Sequence, residues 1–448
     1  MNPFIMTDVT QLLLQGPLDA ATLMTRLEIS QASLSRLIAA QPQVLKYGRA
    51  RATRYALLRP VRESHRFPLW QIDDRGTANK AGQLYCIWPV GSCLVEDHHR
   101  NWHYFDGLPW YLGDMRPQGF LGRTWGCGCA RQLGLPEDIR HWNEDHLLIA
   151  LASCGSDLPG NWLVGQHSYQ QWLQQSVPEP VARQEKKYAY PLLAQRVLTG
   201  EDTGSSAGGE QPKFTCYAQW QEDEKAHLLV KFTPAQRNDN SQRWGDLLRA
   251  EALALQLLAE NGIAAAEASI ITAENGQVFL DVVRFDRVGE QGRRSLVSLE
   301  TVQAEFNGTQ QRWPQALQDL LAQKKITPED AKRGTLQWAF GRLIANGDMH
   351  SGNLAFFHTS QRLTLTPAYD MLPMSLAPNS AGYMRDTIPV IELDTTVPGG
   401  IWQQALMLAQ QYWQIIASSE AWSEGFRQLA EEMQRALKTL AVQIGRMA

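Results

Sequence analysis

The first sixty residues contain three short segments in which apolar side chains recur at the spacing of an amphipathic helix. The second segment follows Asp19 and the third follows Ser30, two residue types that commonly cap helix N-termini. Two short runs with a strand-like pattern come next, at 44–47 and 53–58, and a polar turn with a glycine joins them. The pattern predicts three helices followed by a β-hairpin.

The middle of the chain, residues 63–195, is rich in tryptophan and glycine. It carries strand-like runs at 84–89, 91–96 and 102–105, and a helical stretch near 137–152. Clustered aromatic side chains usually form core or interdomain packing. Because no spacing typical of catalytic residues occurs here, we interpret this part as a small supporting subdomain of mixed helix and strand.

The second half passes from strands to helices. Apolar runs at 214–220, 228–232 and 278–283 predict strands, whereas the pattern from about residue 300 predicts mainly helices. The predicted helical segments are 317–323, 328–346, 402–416 and 422–447. We therefore predict an α+β fold with domains at 1–62, 63–195, 196–298 and 299–448.

Length and composition fit a folded protein with several cores. The chain has 448 residues, 44% of them hydrophobic and 20% charged. No apolar run approaches the roughly 18–20 residues of a membrane helix, and the N-terminus does not resemble a secretory signal, so we expect a soluble cytoplasmic protein with no membrane partner. The lone Cys-x-Cys pair, Cys127 and Cys129, lacks the second pair that a zinc site usually needs.

Charge is distributed unevenly along the chain. Residues 1–62 hold eight basic and three acidic side chains, a net charge of +5, so the remainder carries −9 of the total of −4. A basic segment on an acidic body indicates a module with an anionic partner. The order of elements in this segment resembles the winged helix-turn-helix of bacterial regulators.

That resemblance implies binding to duplex DNA. Hydroxyl, amide and guanidinium groups of the third helix could read base edges in the major groove, and arginines of the hairpin could lie along phosphates. The alternative is a winged helix used only for protein contacts. The candidate DNA-binding residues are Ser30, Gln31, Ser33, Arg36, Arg49, Arg51 and Arg54.

Three features of the second half suggest phosphate chemistry. A glycine- and serine-rich loop at 204–213 can place backbone N–H groups against phosphates, although such stretches are most often linkers. Lys231 lies in an apolar strand, where burial of an ammonium group requires an anionic partner. Glu251, on a predicted helix about twenty residues further on, is the candidate for that partner.

The third feature is the most specific. Asp348 is followed by Asn353, by an apolar strand and then by Asp370, which is the arrangement of phosphotransferases. The first acid accepts or orients the attacking hydroxyl. The asparagine and the second acid provide the oxygen ligands that suit Mg²⁺.

Four motifs together resemble the HipA family of bacterial serine/threonine kinase toxins. Residues 206–213 resemble the family's phosphate loop Ser-x-Gly-Gly-x-x-Pro-Lys, and 284–287 its hinge Arg-Phe-Asp-Arg. Residues 348–353 match its catalytic loop Asp-x-His-x-x-Asn, and 369–372 its metal motif Tyr-Asp-Met-Leu. The glycine- and tryptophan-rich middle looks like a diverged form of the family's N-terminal subdomain.

The resemblance implies transfer of the γ-phosphoryl group of ATP, with Mg²⁺, to a serine or threonine hydroxyl. Asp348 would be the base, Asn353 and Asp370 the metal ligands, and His350 either a substrate-phosphate contact or a structural one. Ser206 would accept phosphate from the kinase itself, with Ser205 as the second choice. The residues expected to bind the nucleotide are Ser206, Gly208, Gly209, Gln211, Lys213, Lys231, Arg284 and Phe285.

The chain differs from typical members of the HipA family in its N-terminal segment. Those members lack a winged helix and work with a separate DNA-binding antitoxin, HipB, whereas this chain resembles the long HipH type with a fused helix-turn-helix. Whether a separate HipB-like antitoxin exists stays open, and a translation factor or tRNA synthetase is the protein substrate that the family suggests. The competing hypothesis is a DNA-binding transcriptional regulator whose kinase body is catalytically weak and senses nucleotide.

Overall fold

The computed structural model describes residues 8–199, 211–359, 362–379, 381–385 and 387–447. These residues divide into two compact units. The first unit comprises residues up to 73, 77–117 and 125–176, and the second comprises 74–76, 118–124 and everything from 177 on. In the described ranges, none of the helices has the length and hydrophobicity that crossing a membrane requires.

The first unit opens with the helices and hairpin that the sequence predicts. Its elements are α1 (Val9–Leu13), β1 (Leu18–Asp19), α2 (Ala20–Leu27), α3 (Gln31–Ala39), β2 (Val44–Tyr47) and β3 (Arg54–Leu57). The strands form an antiparallel sheet in the order β1-β3-β2, with β1 as an addition to the prediction. The Asp19 and Ser30 side chains accept backbone N–H groups at the starts of α2 and α3.

The tryptophan-rich middle continues with sheet and helix. The elements are β4 (Arg66–Ile72), β5 (Ala78–Cys86), β6 (Cys93–Asp97), β7 (Trp102–Phe105), α4 (Gly119–Leu133), α5 (Glu144–Cys154), β8 (Trp162–Val164) and α6 (Gly165–Gln174). Five strands form an antiparallel sheet in the order β7-β6-β5-β4-β8. The helix predicted near 137–152 begins only at 144, because the Asn143 side chain caps it there.

The hairpin β2–β3 is covered on both faces within the first unit. One face packs on the three N-terminal helices through Val44, Tyr55 and Leu57. The other face packs on the five-stranded sheet, where Tyr47 and Leu58 join a buried cluster with strand and loop residues of that sheet. An isolated N-terminal segment would therefore expose an apolar surface to water.

The second unit begins with a sheet between two helices. Its elements are α7 (Lys186–Thr199), β9 (Lys213–Gln219), β10 (Lys225–Phe232), α8 (Asp239–Glu260), β11 (Ala268–Thr272), β12 (Val278–Val283), β13 (Arg287–Val288) and β14 (Gly292–Arg293). β9 to β12 form an antiparallel sheet in the order β11-β12-β10-β9. Val230 and Phe232 pack with Tyr190 of α7, so Lys231 between them points to the opposite face, where Glu251 of α8 lies.

The rest of the second unit is mainly helical, as predicted. It contains β15 (Leu296–Ser298), α9 (Leu299–Phe306), α10 (Trp313–Ala322), α11 (Pro328–Leu343), β16 (Ala355–His358), β17 (Leu363–Leu365), α12 (Gly399–Ser418) and α13 (Glu424–Gly445). β15, β16 and β17 form a small antiparallel sheet with β16 in the middle. The loop before β16 and the segment after β17 carry the predicted catalytic residues.

Candidate active site

Lys231 is the centre of a buried ion-pair network. Its side chain is 5% exposed and donates to both carboxylate oxygens of Glu251 at 2.7 Å. It also donates to the Asp370 carboxylate. Burial lowers the pKa of Lys231, but Asp370 and Glu251 together raise that pKa above its usual value. The predicted ion pair between Lys231 and Glu251 is present. Lys231 also contacts a second acid, Asp370, which the sequence did not suggest as its partner.

Glu251 is held in place because α8 is anchored to the C-terminal helices. Asp246, one and a half turns earlier on α8, accepts the Ser423 backbone N–H at 3.0 Å and the Ser423 hydroxyl at 2.5 Å. The Trp422 indole donates to the Asp246 carbonyl at 3.1 Å. The Arg243 guanidinium donates to the Leu376 carbonyl at 2.9 Å. These bonds fix the helix that presents Glu251 to Lys231.

Asp348 lies in a tight loop after α11, and hydrogen bonds hold its backbone on both sides. The Asp348 N–H donates to Asn346 Oδ1 at 3.0 Å. The Asn353 Nδ2 group donates to the Asp348 carbonyl at 2.8 Å. The Asp348 carboxylate itself is about half exposed, so it is accessible from solvent.

Asp370 faces Lys231 from a loop that follows β17. Its backbone is left-handed, with φ of +56°, a conformation that a residue with a side chain seldom adopts. Burial raises the pKa of Asp370, but the Lys231 and Lys213 ammonium groups lower it to about 2. The carboxylate is therefore ionised at neutral pH.

The donor set fits a hard divalent cation. The Asn353 Nδ2 group donates a hydrogen bond to the Asp348 carbonyl, so the Oδ1 atom of the same amide is the one that could serve as a metal ligand. Asp370 supplies an ionised carboxylate, and oxygen ligands are those that Mg²⁺ prefers. No cluster of three or more histidine, cysteine or acidic side chains occurs in the described ranges that could hold a metal by protein ligands alone.

Residues of the predicted phosphate loop are only partly described. Ser205, Ser206, Gly208 and Gly209 lie outside the described residues. Lys213 is paired across the sheet with Lys231, and its ammonium group acts on Asp370. The Gln211 side chain donates to the Phe232 carbonyl. At the described end of the loop, Lys213 on the neighbouring strand and Gln211 shortly before that strand therefore lie next to Lys231.

The predicted hinge has a structural ion pair that the sequence did not show. Arg284 donates to both oxygens of Asp286 at 3.0 and 2.9 Å, and Arg287 also binds Asp286, at 2.6 Å. The Phe285 ring lies 5.6 Å from that of Tyr369, the neighbour of Asp370 in sequence. Phe285 is thus close to the metal motif, while the Arg284 side chain is directed to Asp286.

His350 has one ring nitrogen engaged. Its Nδ1 atom accepts the Gly352 N–H at 3.0 Å, and the Trp313 indole donates to the His350 carbonyl at 3.1 Å. The other nitrogen, Nε2, lies 3.8 Å from a carboxylate oxygen of Asp348. His350 therefore helps to shape the catalytic loop, and its exposed Nε2 faces the same side as Asp348.

The candidate DNA-binding residues lie on α3, just before it, and on the hairpin of the first unit. The Ser30 hydroxyl accepts the Ser33 N–H at 3.2 Å, so its first role is to cap α3. Arg36 reaches the Ser33 hydroxyl at 3.5 Å. Ser33 is half-buried, and the exposed members of the set are Ser30, Gln31, Arg36, Arg49, Arg51 and Arg54.

Sequence reasoning missed two residues that organise the site, Asn346 and Asp246. Asn346 is 2% exposed and hydrogen-bonds to both catalytic loops. Asp246 is buried on α8, where a polar residue among apolar ones was the only available signal. Their partners are distant in sequence, so the pattern alone did not identify a role for them.

Comparison with known proteins identifies the family. Residues 205–441 match the family model for the HipA-like C-terminal domain, and residues 63–173 match that for the middle domain of YjjJ-like toxins. The chain belongs to the HipA family of toxins. Toxin YjjJ of Escherichia coli (strain K12) is 49% identical over 442 residues, which cover 99% of this chain and all of that protein.

A solved structure of HipA shares the fold. HipA of Shewanella oneidensis MR-1, solved with HipB and its operator DNA, matches with a TM-score of 0.53 and 16% identity over 84% of this chain and 99% of that chain. The Helicobacter pylori proinflammatory kinase CtkA matches with a TM-score of 0.37 and 16% identity over 55% of this chain and 93% of that chain.

Proposed function

We propose that this chain is an ATP- and Mg²⁺-dependent protein kinase that phosphorylates serine or threonine and inhibits growth through that activity. The observation that supports the proposal is the combination of Asp348, Asn353 and Asp370 with the Lys231–Glu251 ion pair. Bound ATP with Mg²⁺ would supply the phosphoryl group. Asn353 and Asp370 would hold the metal, and Lys231 would meet the phosphates in place of its contact with Asp370.

Asp348 would orient the substrate hydroxyl and take its proton as the phosphoryl group is transferred. Its half-exposed carboxylate, on a backbone fixed from both sides, suits that role. Gly208, Gly209 and neighbouring amides would cover the phosphates, and Phe285 would flank the adenine. For the chain as a whole, we propose the four domains given above, with the first as a winged helix.

Labelled ATP with Mg²⁺ and purified full-length protein tests the kinase. Asp348→Asn and Asp370→Asn should each lower phosphoryl transfer by about 100-fold or more, since such electrostatic contributions are worth about 3–4 kcal/mol. Glu329→Gln, an exposed acid at the start of α11, is the matched control and should retain full activity. Near-full activity of both site variants at equal folding would exclude the kinase.

We also propose that the kinase phosphorylates itself at Ser206, or failing that at Ser205. Phosphoserine adds about −1.5 to −2 charges, which would repel the ATP phosphates from the loop that is meant to bind them. Mass spectrometry of active protein and of Asp348→Asn decides the question. Phosphate that is equally abundant in both proteins would come from another kinase, and its absence from active protein would exclude the site.

A second function, duplex DNA binding, has its own support. The segment 1–62 carries a net charge of +5, and the four arginines named on α3 and the hairpin are exposed. The HipA of Shewanella oneidensis is known with HipB and operator DNA, which fits a DNA-bound setting for the family. If the protein is instead a regulator with a catalytically weak kinase body, it would bind duplex DNA but would not transfer phosphate.

Binding of a labelled duplex by the full chain at several salt concentrations tests it. The full chain is required because the hairpin packs on the five-stranded sheet. Replacing Arg49, Arg51 and Arg54 by alanine should weaken binding and reduce the log–log salt slope by about 0.9 per lost phosphate contact. Arg435→Ala, an exposed arginine of α13, is the control. An unchanged slope would leave only a protein-contact role for the hairpin.

A further inference from the structure

One buried side chain joins the two loops that carry the catalytic acids. Asn346 follows α11 and is 2% exposed. Its Oδ1 atom accepts the Asp348 N–H at 3.0 Å, and its Nδ2 group donates to the Asp370 carbonyl at 3.2 Å. Asp348 and Asp370 are 22 residues apart in the chain, so this amide is a direct bridge between their backbones.

The two bonds need both ends of an amide. The Oδ1 atom must accept one hydrogen bond and the Nδ2 group must donate the other, and the Asn346 side chain that provides both is buried. An aspartate lacks the donor, and its carboxylate would face the Asp370 carbonyl with a second acceptor. An alanine would leave the Asp348 N–H without this acceptor and the Asp370 carbonyl without this donor.

The Asp370 bond holds a strained backbone. Asp370 has a φ of +56°, and Ala345, directly before Asn346, has a φ of +64°. Such conformations cost on the order of 1 kcal/mol or more for residues with a side chain, and they persist where neighbouring contacts impose them. Asn346 supplies such a contact, because it fixes the Asp370 carbonyl while the Asp370 carboxylate faces Lys231.

We propose that Asn346 is a positioning residue that sets the geometry between the hydroxyl-orienting acid, Asp348, and the metal-binding acid, Asp370. The proposal rests on the kinase function proposed above. Asn353 holds Asp348 from its carbonyl side, and Asn346 holds it from its N–H side while also holding Asp370. Asn346 touches neither substrate nor nucleotide in this scheme and acts only through the two acids.

Steady-state kinetics of Asn346→Ala and Asn346→Asp test the proposal. Both should lower kcat by about 10- to 100-fold, as expected when reacting groups are misplaced by a fraction of an ångström to 1 Å. The KM for ATP should change less than kcat does, because Lys231 and its partner Glu251 stay in place. The aspartate variant has the same shape, so it keeps the test available if the alanine variant folds poorly.

Two comparisons separate positioning from simple destabilisation. Thr335→Val removes a buried hydroxyl that bonds to the Ala331 carbonyl within α11, and it should lower stability without changing kcat per folded molecule. In the Asp348→Asn background, Asn346→Ala should cause a smaller further loss than it does in the wild type, because the part of its effect that passes through Asp348 is already lost.

The possible outcomes are distinct. Wild-type protein that transfers phosphate, with Asn346 variants within 3-fold of its kcat at equal folded fraction, would overturn the positioning role and leave the kinase intact. Full additivity with Asp348→Asn would also overturn it. A wild-type protein that neither binds ATP with Mg²⁺ nor transfers phosphate would overturn both proposals.

Discussion

The buried Lys231 network allows a quantitative test of what holds the second unit together. In Lys231→Met the methionine fills nearly the same volume, but Glu251 and Asp370 lose their shared counter-charge. Glu251 is 1% exposed, and removal of one member of a buried ion pair typically costs about 3–5 kcal/mol. We expect the free energy of unfolding of the second unit to fall by about that amount at pH 8.

The loss should depend on pH, with a sign that the structure fixes. Burial raises the pKa of Glu251, and Lys231 normally opposes that rise. Without the lysine the folded-state pKa of Glu251 lies well above its unfolded value. When the folded-state pKa of a group is raised, the folded protein becomes less stable as pH rises above the unfolded-state pKa, because ionising the group is easier in the unfolded chain. Lys231→Met should therefore be least destabilised near pH 5 and most destabilised near pH 8.

A double variant provides the control. Lys231→Met with Glu251→Met replaces the pair by apolar side chains of similar size and should recover most of the stability. It should not transfer phosphate, because it lacks Lys231, which we propose meets the ATP phosphates. Urea denaturation at pH 5 and pH 8 measures the change, and hydrogen exchange of peptides from β10 and α8 assigns it to this unit. Wild-type stability of the single variant at both pH values, or a double variant less stable than the single one, would refute the reasoning.

Two further predictions concern other parts of the chain. Arg59 binds Asp145 at 2.6 and 2.7 Å with its side chain 8% exposed, so Arg59→Ala should make the N-terminal helices more sensitive to limited proteolysis, whereas exposed Arg26→Ala should not. Burial lowers the pKa of His358 to about 4, so wild-type stability should fall by about 2 kcal/mol between pH 7 and pH 5 from this group, as the unfolded chain gains a proton that the folded one resists. Thermal melts should show that His358→Phe flattens this part of the pH profile.

The elements of the site that were predictable are those encoded within a few residues of one another. Asp348 and Asn353 lie in one six-residue loop, and a lysine inside an apolar strand indicates an acidic partner wherever it occurs. Helices with a cap and an apolar stripe were predictable for the same reason, since a local pattern sets them. α4 at Gly119–Leu133 was missed because its glycines lower helix propensity, and tertiary packing overrides that preference.

The contacts that organise the site join residues far apart in sequence. Asn346 and the Asp370 carbonyl are 24 residues apart, Arg59 and Asp145 86 residues, and Lys231 and Asp370 139 residues. A periodic pattern reports which face of an element is buried but not which polar group meets it there. Sequence could therefore name the acids that we propose take part in the reaction, but not Asn346 and the other distant residues that hold them in place.

The anchoring of α8 shows why this limit matters for function. In many kinases the helix that carries the glutamate partner moves, and the ion pair forms only in the active state. Here Asp246 binds the start of α13, 177 residues further along the chain, and Arg243 binds the segment after Asp370. Both anchors hold the helix with Glu251 already on Lys231, so we expect control of the proposed kinase to act elsewhere than on that ion pair. The phosphate loop, where we propose phosphorylation of Ser206, is the element whose charge could change without breaking those bonds.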